Sequence, residues 1–284
     1  MISRRRTRST LVSAVSVLLL AVALPPGEAV GPAPVSLDAA GAAALAERLG
    51  DVRVLGCDPR GRGLAVLALG DPRTARHVAV LVPGSDIDLT TLADRHDPQR
   101  RPFGWAEALA AEGGPELAVV LWVGYRTPQG LGIDAASGRL ARAGAGALVR
   151  FIDGFRTGDL LPGAQLTVVG HSYGAVVVAL AAARLVADDL VLLGSPGARA
   201  SSVAELDTTA RVWAARTDDD WTARIPAVRI GDLGHGADPT AEDFGARALP
   251  VGGTSGHDGY FRPGSAALTG LADVCLAGAA GTTR

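Results

Sequence analysis

Apolar and polar positions along this chain fall into blocks that switch between two periods. Short Val-, Leu- and Ala-rich runs occupy residues 52–57 (VRVLGC), 63–69 (GLAVLAL), 77–83 (HVAVLVP), 117–123, 165–170 (QLTVVG), 189–194, 211–216 and 246–251, most of them bounded by Gly, Pro or Asp. Their length and β-branched content predict strands. The first two flank a DPRGRG turn and read as an antiparallel hairpin. From 117 onward the strands alternate with helical stretches at about 134–155 and 173–187. Strands that are apolar throughout, joined by helices, imply a mainly parallel sheet covered on both faces. A further helix is expected at 36–49, capped by Ser36 and closed by Gly50. The pattern therefore predicts one α/β domain whose first strands are antiparallel.

Two intervals limit what can surround that sheet. Residues 195–210 leave room for one crossover helix and its loops, and none for a cap domain. The longer irregular stretches, 85–102 with its mixed charges and 221–245, are expected to rim the entrance to a site.

The first thirty residues differ in kind. Arg4, Arg5, Arg6 and Arg8 precede an apolar run from Leu11 to Leu24, and Gly27-Glu28-Ala29 then places small residues at the −3 and −1 positions of a cleavage site. This is the layout of a secretory signal peptide. The run is shorter than the roughly 20 residues of a membrane span, so cleavage after Ala29 is expected, with an uncleaved anchor as the alternative. Residues 1–29 are thus read as leader and 30–284 as one domain, secreted or held at the cell envelope, with no stable membrane span after cleavage.

Removing four Arg and one Glu with the leader takes the formal charge from −2 to −5, which gives nucleic acid no electrostatic footing. Every basic residue is arginine. The missing lysine excludes a Walker phosphate loop, a Schiff base and a Ser–Lys dyad. Five scattered histidines lack metal-ligand spacing, so neither metal nor cofactor is expected. Cys57 and Cys275 are an even pair in an exported chain and form a disulfide candidate, the alternative being two buried thiols.

Residues 170–174 read Gly-His-Ser-Tyr-Gly between a strand and a helix. A serine at the apex of such a turn resembles the nucleophile elbow of α/β-hydrolases, where φ > 0 lifts the hydroxyl toward substrate and glycines two residues to either side avoid collision. Ser172 is then the nucleophile. The order Ser, acid, His in that fold directs attention to Asp218-Asp219-Asp220 after the strand RVWAART, with Asp220 favoured over Asp219. His257, in GTSGHDGYF, is the favoured base and His235 its rival; His171 is expected to pack beneath the turn and His77 to be structural. The backbone N–H groups of Tyr173 and Ser85 are the expected oxyanion donors, with Gly84 or Asp86 as alternates to Ser85.

Taken together, VPGS at 82–85, WVGYRTP at 122–128, VVGHSYGA at 168–175, LLGSPGA at 192–198, HGADP at 235–239, FGAR at 244–247 and GHDGYF at 256–261 resemble an α/β-hydrolase domain family of unassigned function. That family is widespread in high-GC Gram-positive bacteria. The resemblance spans about residues 50–276 and implies the fold, the Ser172 elbow, an acid matching Asp220 and a base matching His257. The family's acid is usually followed by proline, where this chain has Trp221. The expected function is an exported serine hydrolase acting on a small-molecule or lipid acyl ester. An amidase or acyltransferase would use the same residues. The alternative class is a non-catalytic envelope binding protein on a hydrolase fold.

Overall fold

A computed structural model describes residues 37–50, 52–158 and 163–277. The leader and Ser36 lie outside the described residues. The first helix, α1 (Ala39–Leu49), starts later than expected: Asp38 caps it, its carboxylate accepting the Gly41 N–H at 2.6 Å.

All eight expected strands are present: β1 (Arg53–Asp58), β2 (Leu64–Leu69), β3 (His77–Val82), β4 (Leu117–Val123), β5 (Gln165–His171), β6 (Asp189–Leu193), β7 (Arg211–Ala215) and the two-residue β8 (Arg247–Ala248). They form one sheet in the order β1-β2-β4-β3-β5-β6-β7-β8. β2 pairs antiparallel with both β1 and β4, and every pairing from β4 to β8 is parallel. This is the α/β-hydrolase arrangement. The crossover that seats β3 between β4 and β5 brings the loop after β3 beside the end of β5.

Each central strand is buried on both faces, and its side chains divide by parity. Val78, Val80 and Val82 join one apolar cluster with helices α4 (Arg139–Thr157) and α5 (Tyr173–Ala181), whereas Ala79 and Leu81 join another with α1, α2 (Pro102–Gly113) and α6 (Ala266–Leu276). On α4, Leu140, Ala141, Gly144, Ala145, Leu148, Val149 and Ile152 recur at helical spacing on the buried face.

Four expectations need correction. α2 has no counterpart in the sequence reading, because its first five residues, Pro102 to Ala106, are all buried and blur the apolar stripe. The helix expected at 134–155 is broken into α3 (Ile133–Ala136) and α4 at Ser137, which is extended at φ −109°, ψ 157° and bridges Leu233; α4 then starts from Gly138, packed against the Arg199 guanidinium. The helix expected to reach 187 ends at Ala181 in a 3₁₀ turn, and the 195–210 crossover holds only a 3₁₀ turn, Ala204–Leu206, in place of a helix. There is still no cap domain in that crossover.

The cysteines are not bridged. Both are free and buried. Cys57 lies on the edge strand β1 against α1, and a Cβ on Gly41 would sit 3.0 Å from its sulfur. Cys275, on α6, interacts instead with Thr167 of the central strand β5, and burial pushes its thiol up to about 12. β1 and β5 are four strand spacings apart, on the order of 19 Å, well beyond disulfide reach.

Candidate active site

β5 ends at His171, and the chain then turns through Ser172 at φ 57°, ψ −128° before α5 begins at Tyr173. Only close packing would hold a serine in that conformation. The Ser172 N–H donates to Leu193 O at 2.9 Å, and Ser172 O accepts the Ala175 N–H at 2.9 Å. The two glycines are required sterically. A Cβ on Gly170 would meet the Ala175 Cα at 2.6 Å, and one on Gly174 would meet Val82 O at 2.1 Å.

Two loops flank the serine. After β3, Gly84 passes so close that a Cβ there would lie 2.7 Å from Ser172 Cβ and 3.1 Å from its Oγ. Tyr125 OH holds this loop by donating to Pro83 O at 2.7 Å. Asp86, itself at φ 63°, spends its N–H on Pro128 O at 2.9 Å, which removes it as an alternate oxyanion donor. The Ser85 and Tyr173 N–H groups have no acceptor among the described residues, so both remain available to a ligand.

On the β6 side, a Cβ on Gly194 would lie 2.8 Å from Asp220 Oδ2 and 3.1 Å from His257 Nδ1, so a pair of side chains fills the space a larger residue would take. His257 Nδ1 contacts both oxygens of Asp220, at 2.9 and 3.0 Å. The carboxylate also accepts from Tyr260 OH at 2.6 Å and from the Thr222 N–H and hydroxyl at 2.8 and 2.7 Å. Burial by itself would raise the Asp220 pKa, but the hydrogen bond and charge of His257, together with Tyr260 and Thr222, outweigh it and hold the acid ionised, well below the ordinary carboxylate range. Burial and the Asp220 carboxylate push the Tyr260 hydroxyl the other way, so it remains a donor.

The neighbouring aspartates differ. Asp219 accepts the Gly256 N–H at 2.7 Å and the Thr217 hydroxyl at 3.0 Å, which ties down the loop carrying His257. Asp218 is exposed. Trp221 lies against His257 with ring centroids 4.8 Å apart.

The rival base is elsewhere. His235 is buried edge-on against the Tyr173 ring at 5.5 Å, and its Nε2 pairs with Ala135 O at 2.7 Å. Beneath the turn, as expected, His171 packs on Trp105 and gives its Nε2–H to His257 O at 2.7 Å. Tyr260, Thr222 and Tyr125 have no role in the sequence reading; two of them stand inside motifs it singled out, GHDGYF and WVGYRTP. Among the described residues one group could bring three metal-ligand atoms together, His171, His257 and Asp258, within 4.8 Å of one another. His171 already spends a nitrogen on His257 O, and His257 spends one on Asp220.

Burial, reinforced by the nearby His257, drives His171 down to about 3. An unfolded chain would protonate this imidazole near pH 6.5. Between those values the unfolded state binds a proton that the folded state refuses, so stability is present above about pH 6.5 and drains away as pH falls toward 3. Burial lowers His235 in the same direction. Thermal denaturation should show Tm falling from pH 6.5 to 5, above the range where carboxylates titrate, and a shallower slope in His171→Gln. An unchanged slope would assign the acid sensitivity to other groups.

Among solved structures the chain resembles XC6422 from Xanthomonas campestris, an α/β serine hydrolase without a lid, at TM-score 0.46 and 17% identity over 81% of this chain and 97% of that one. It also resembles a carboxylesterase from Mesorhizobium loti, at TM-score 0.41 and 20% identity over 68% of this chain and 87% of that one. Two relatives come from Mycobacterium tuberculosis strain H37Rv. The uncharacterized protein Rv2079 is 34% identical over 245 residues, 75% of this chain, and the chain spans 37% of that protein's length. The uncharacterized protein Rv0963c is 33% identical over 158 residues, 52% of this chain and 58% of its own. A family model described as alpha/beta hydrolase matches residues 58–230, more than half of the sequence, from the end of β1 through the Ser172 elbow to the loop beyond Asp220, and the chain belongs to that alpha/beta-hydrolase family.

Proposed function

We propose that the protein is an exported serine hydrolase that cleaves carboxylic esters through an acyl-enzyme. The observation that carries this reading is the His257–Asp220 pair at 2.9 Å, packed on Gly194 next in the chain to Leu193, whose carbonyl accepts the N–H of a serine held at φ 57° on a strand-to-helix turn. A neutral hydroxyl needs such a base. Ser172 Oγ would attack the acyl carbonyl while His257 Nε2 takes its proton, and Asp220, accepting the Nδ1–H, would fix the tautomer and stabilise the imidazolium. The oxyanion would form between the Tyr173 and Ser85 N–H groups; one such donor supplies on the order of 10²-fold in rate. His257 would then protonate the leaving alcohol and activate the water that releases the acid. Export rests on the leader at residues 1–29.

Esters are favoured over amides and acyl transfer on the frequency of these chemistries. The crossover at 195–210 holds one 3₁₀ turn, so no cap is available there to enclose a long acyl chain. A chain gains about 0.8 kcal/mol per CH₂ only while apolar wall remains to receive it. p-Nitrophenyl acetate to hexanoate should therefore be cleaved with higher kcat/KM than the palmitate, with no jump in rate above the substrate's solubility limit. A rate that climbs through long chains or jumps at that limit would show that the loops at 85–102 and 221–245 act as a lid. A fluorophosphonate probe that labels no serine would remove the catalytic reading altogether.

A further inference from the structure

Seven large apolar side chains are markedly exposed among the described residues, and five of them belong to two loops at the carboxyl end of the sheet. Leu131 and Ile133 follow β4; Val228, Ile230 and Leu233 follow β7. Their exposure runs from 47% at Leu233 to 79% at Ile230. The loops are joined to each other by the Ser137–Leu233 bridge and by the Gly234 N–H, which donates to Ala136 O at 2.8 Å. Isolated exposed apolar residues are ordinary, but a contiguous set beside a functional site marks a binding surface.

Both loops lead into the site. The segment after β7 begins with Trp221 against His257 and ends with His235 against the Tyr173 ring. The segment after β4 is tied to the loop after β3, because Pro128 O accepts the Asp86 N–H at 2.9 Å and the Gly130 N–H donates to Asp86 Oδ1 at 2.7 Å. The apolar rim therefore borders the mouth at which Ser172 stands.

Charge identifies what fits this rim. Residues 221–231 contain Arg224 and Arg229 and no acid, and residues 124–133 contain Arg126 and no acid. Of the acids nearest the rim, Asp134 pairs with Arg139 at 2.7 Å, Asp232 pairs with Arg142 at 2.6 Å and with Arg199 at 2.8 Å, and Asp86 accepts the Gly130 N–H at 2.7 Å. The patch is thus apolar and basic on a chain whose formal charge is −2. The Arg199 side chain is 3% exposed and also donates to Gly234 O at 2.9 Å. That clamp keeps the Val228–Leu233 tip from folding its apolar side chains inward.

We propose that this rim docks the protein on an anionic lipid surface, with the mouth of the site turned toward it. Apolar side chains flanked by arginine combine acyl-region insertion with attraction to anionic headgroups. Docking itself stands on the geometry of the rim; that a lipid-borne ester then reaches Ser172 rests on the function proposed above.

The test uses the full chain carrying Ser172→Ala, so that binding is read without turnover. Cys57 and Cys275 are buried, so a cysteine introduced by Ile230→Cys can be labelled selectively with a polarity-sensitive fluorophore. Val186→Cys, exposed at the opposite end of the sheet, serves as the control position. With vesicles of phosphatidylcholine and phosphatidylglycerol the emission at 230 should shift to the blue and that at 186 should not. Pure phosphatidylcholine, or Arg224→Glu with Arg229→Glu, should raise the lipid concentration for half-maximal shift at least 10-fold. No shift at 230, or equal shifts at both positions, as binding through the leader alone would give, overturns the proposal. So does a lipid-free dimer, detected by sedimentation, that Ile230→Ser converts to monomer. With Ser172 restored, retained activity of the Arg224→Glu, Arg229→Glu variant on soluble esters would separate failure of docking from failure of the catalytic reading.

Discussion

Replacing Ser172 or His257 by alanine is expected to lower ester hydrolysis by on the order of 10³-fold or more, and the two losses should not add, because nucleophile and base act as one unit. The geometry supports equal losses. Ser172 Oγ stands beside the Gly84 loop, and the imidazole that must deprotonate it is fixed on its other edge by two Asp220 contacts at 2.9 and 3.0 Å. Without the base the hydroxyl stays protonated at neutral pH; without the hydroxyl the base has only water to activate. A fluorophosphonate should label Ser172 stoichiometrically, and both variants should lose labelling. Circular dichroism should match the parent, since Ser172→Ala removes one oxygen from a turn set by backbone contacts and by Gly170 and Gly174. Stoichiometric labelling of another serine would displace the site.

Much of this site was legible because its geometry depends on backbone constraints that sequence records directly. Gly170 and Gly174 are needed where a Cβ would come within 2.6 Å of Ala175 and 2.1 Å of Val82 O, and the strand and helix flanking them carry plain apolar patterns. Continuous apolar strands gave the parallel sheet, since burial on both faces leaves no polar alternation. What stayed hidden depends on packing between distant segments. α2 is buried all round from Pro102 to Ala106, and a clean amphipathic pattern is the signal such a segment lacks. Ser137 breaks the helical run at 133–157 because its extended backbone bridges Leu233, a contact 96 residues away in sequence.

The cysteines show the same limit: an even count suggests pairing, but strand order places one at the sheet edge and the other over its centre. Tyr260 and Thr222 were invisible as partners of Asp220 for a related reason. Their value lies in satisfying a buried carboxylate, and no local motif encodes that.

Three consecutive aspartates follow β7, and only the fold distinguishes them. Asp220→Asn should reduce kcat by on the order of 10⁴-fold with little change in KM, because an amide facing Nδ1 would favour the tautomer that carries its proton on Nε2, leaving no lone pair there for the serine proton. Asp219→Asn should cost less than about 10-fold. Its amide oxygen can still accept the Gly256 N–H, now at 2.7 Å from Asp219 Oδ1, so the loop that carries His257 keeps its anchor. Tyr260→Phe should fall between them. It takes one of the hydrogen bonds that hold Asp220 ionised, yet leaves the two from Thr222 and the contact with His257. Steady-state kinetics on p-nitrophenyl acetate at pH 8, with Tm measured for each variant, separates loss of catalysis from loss of fold. A 10⁴-fold loss in Asp219→Asn with an active Asp220→Asn would move the acid by one residue, and would mean that Asp220 serves chiefly to bury Tyr260 and cap the turn at Trp221.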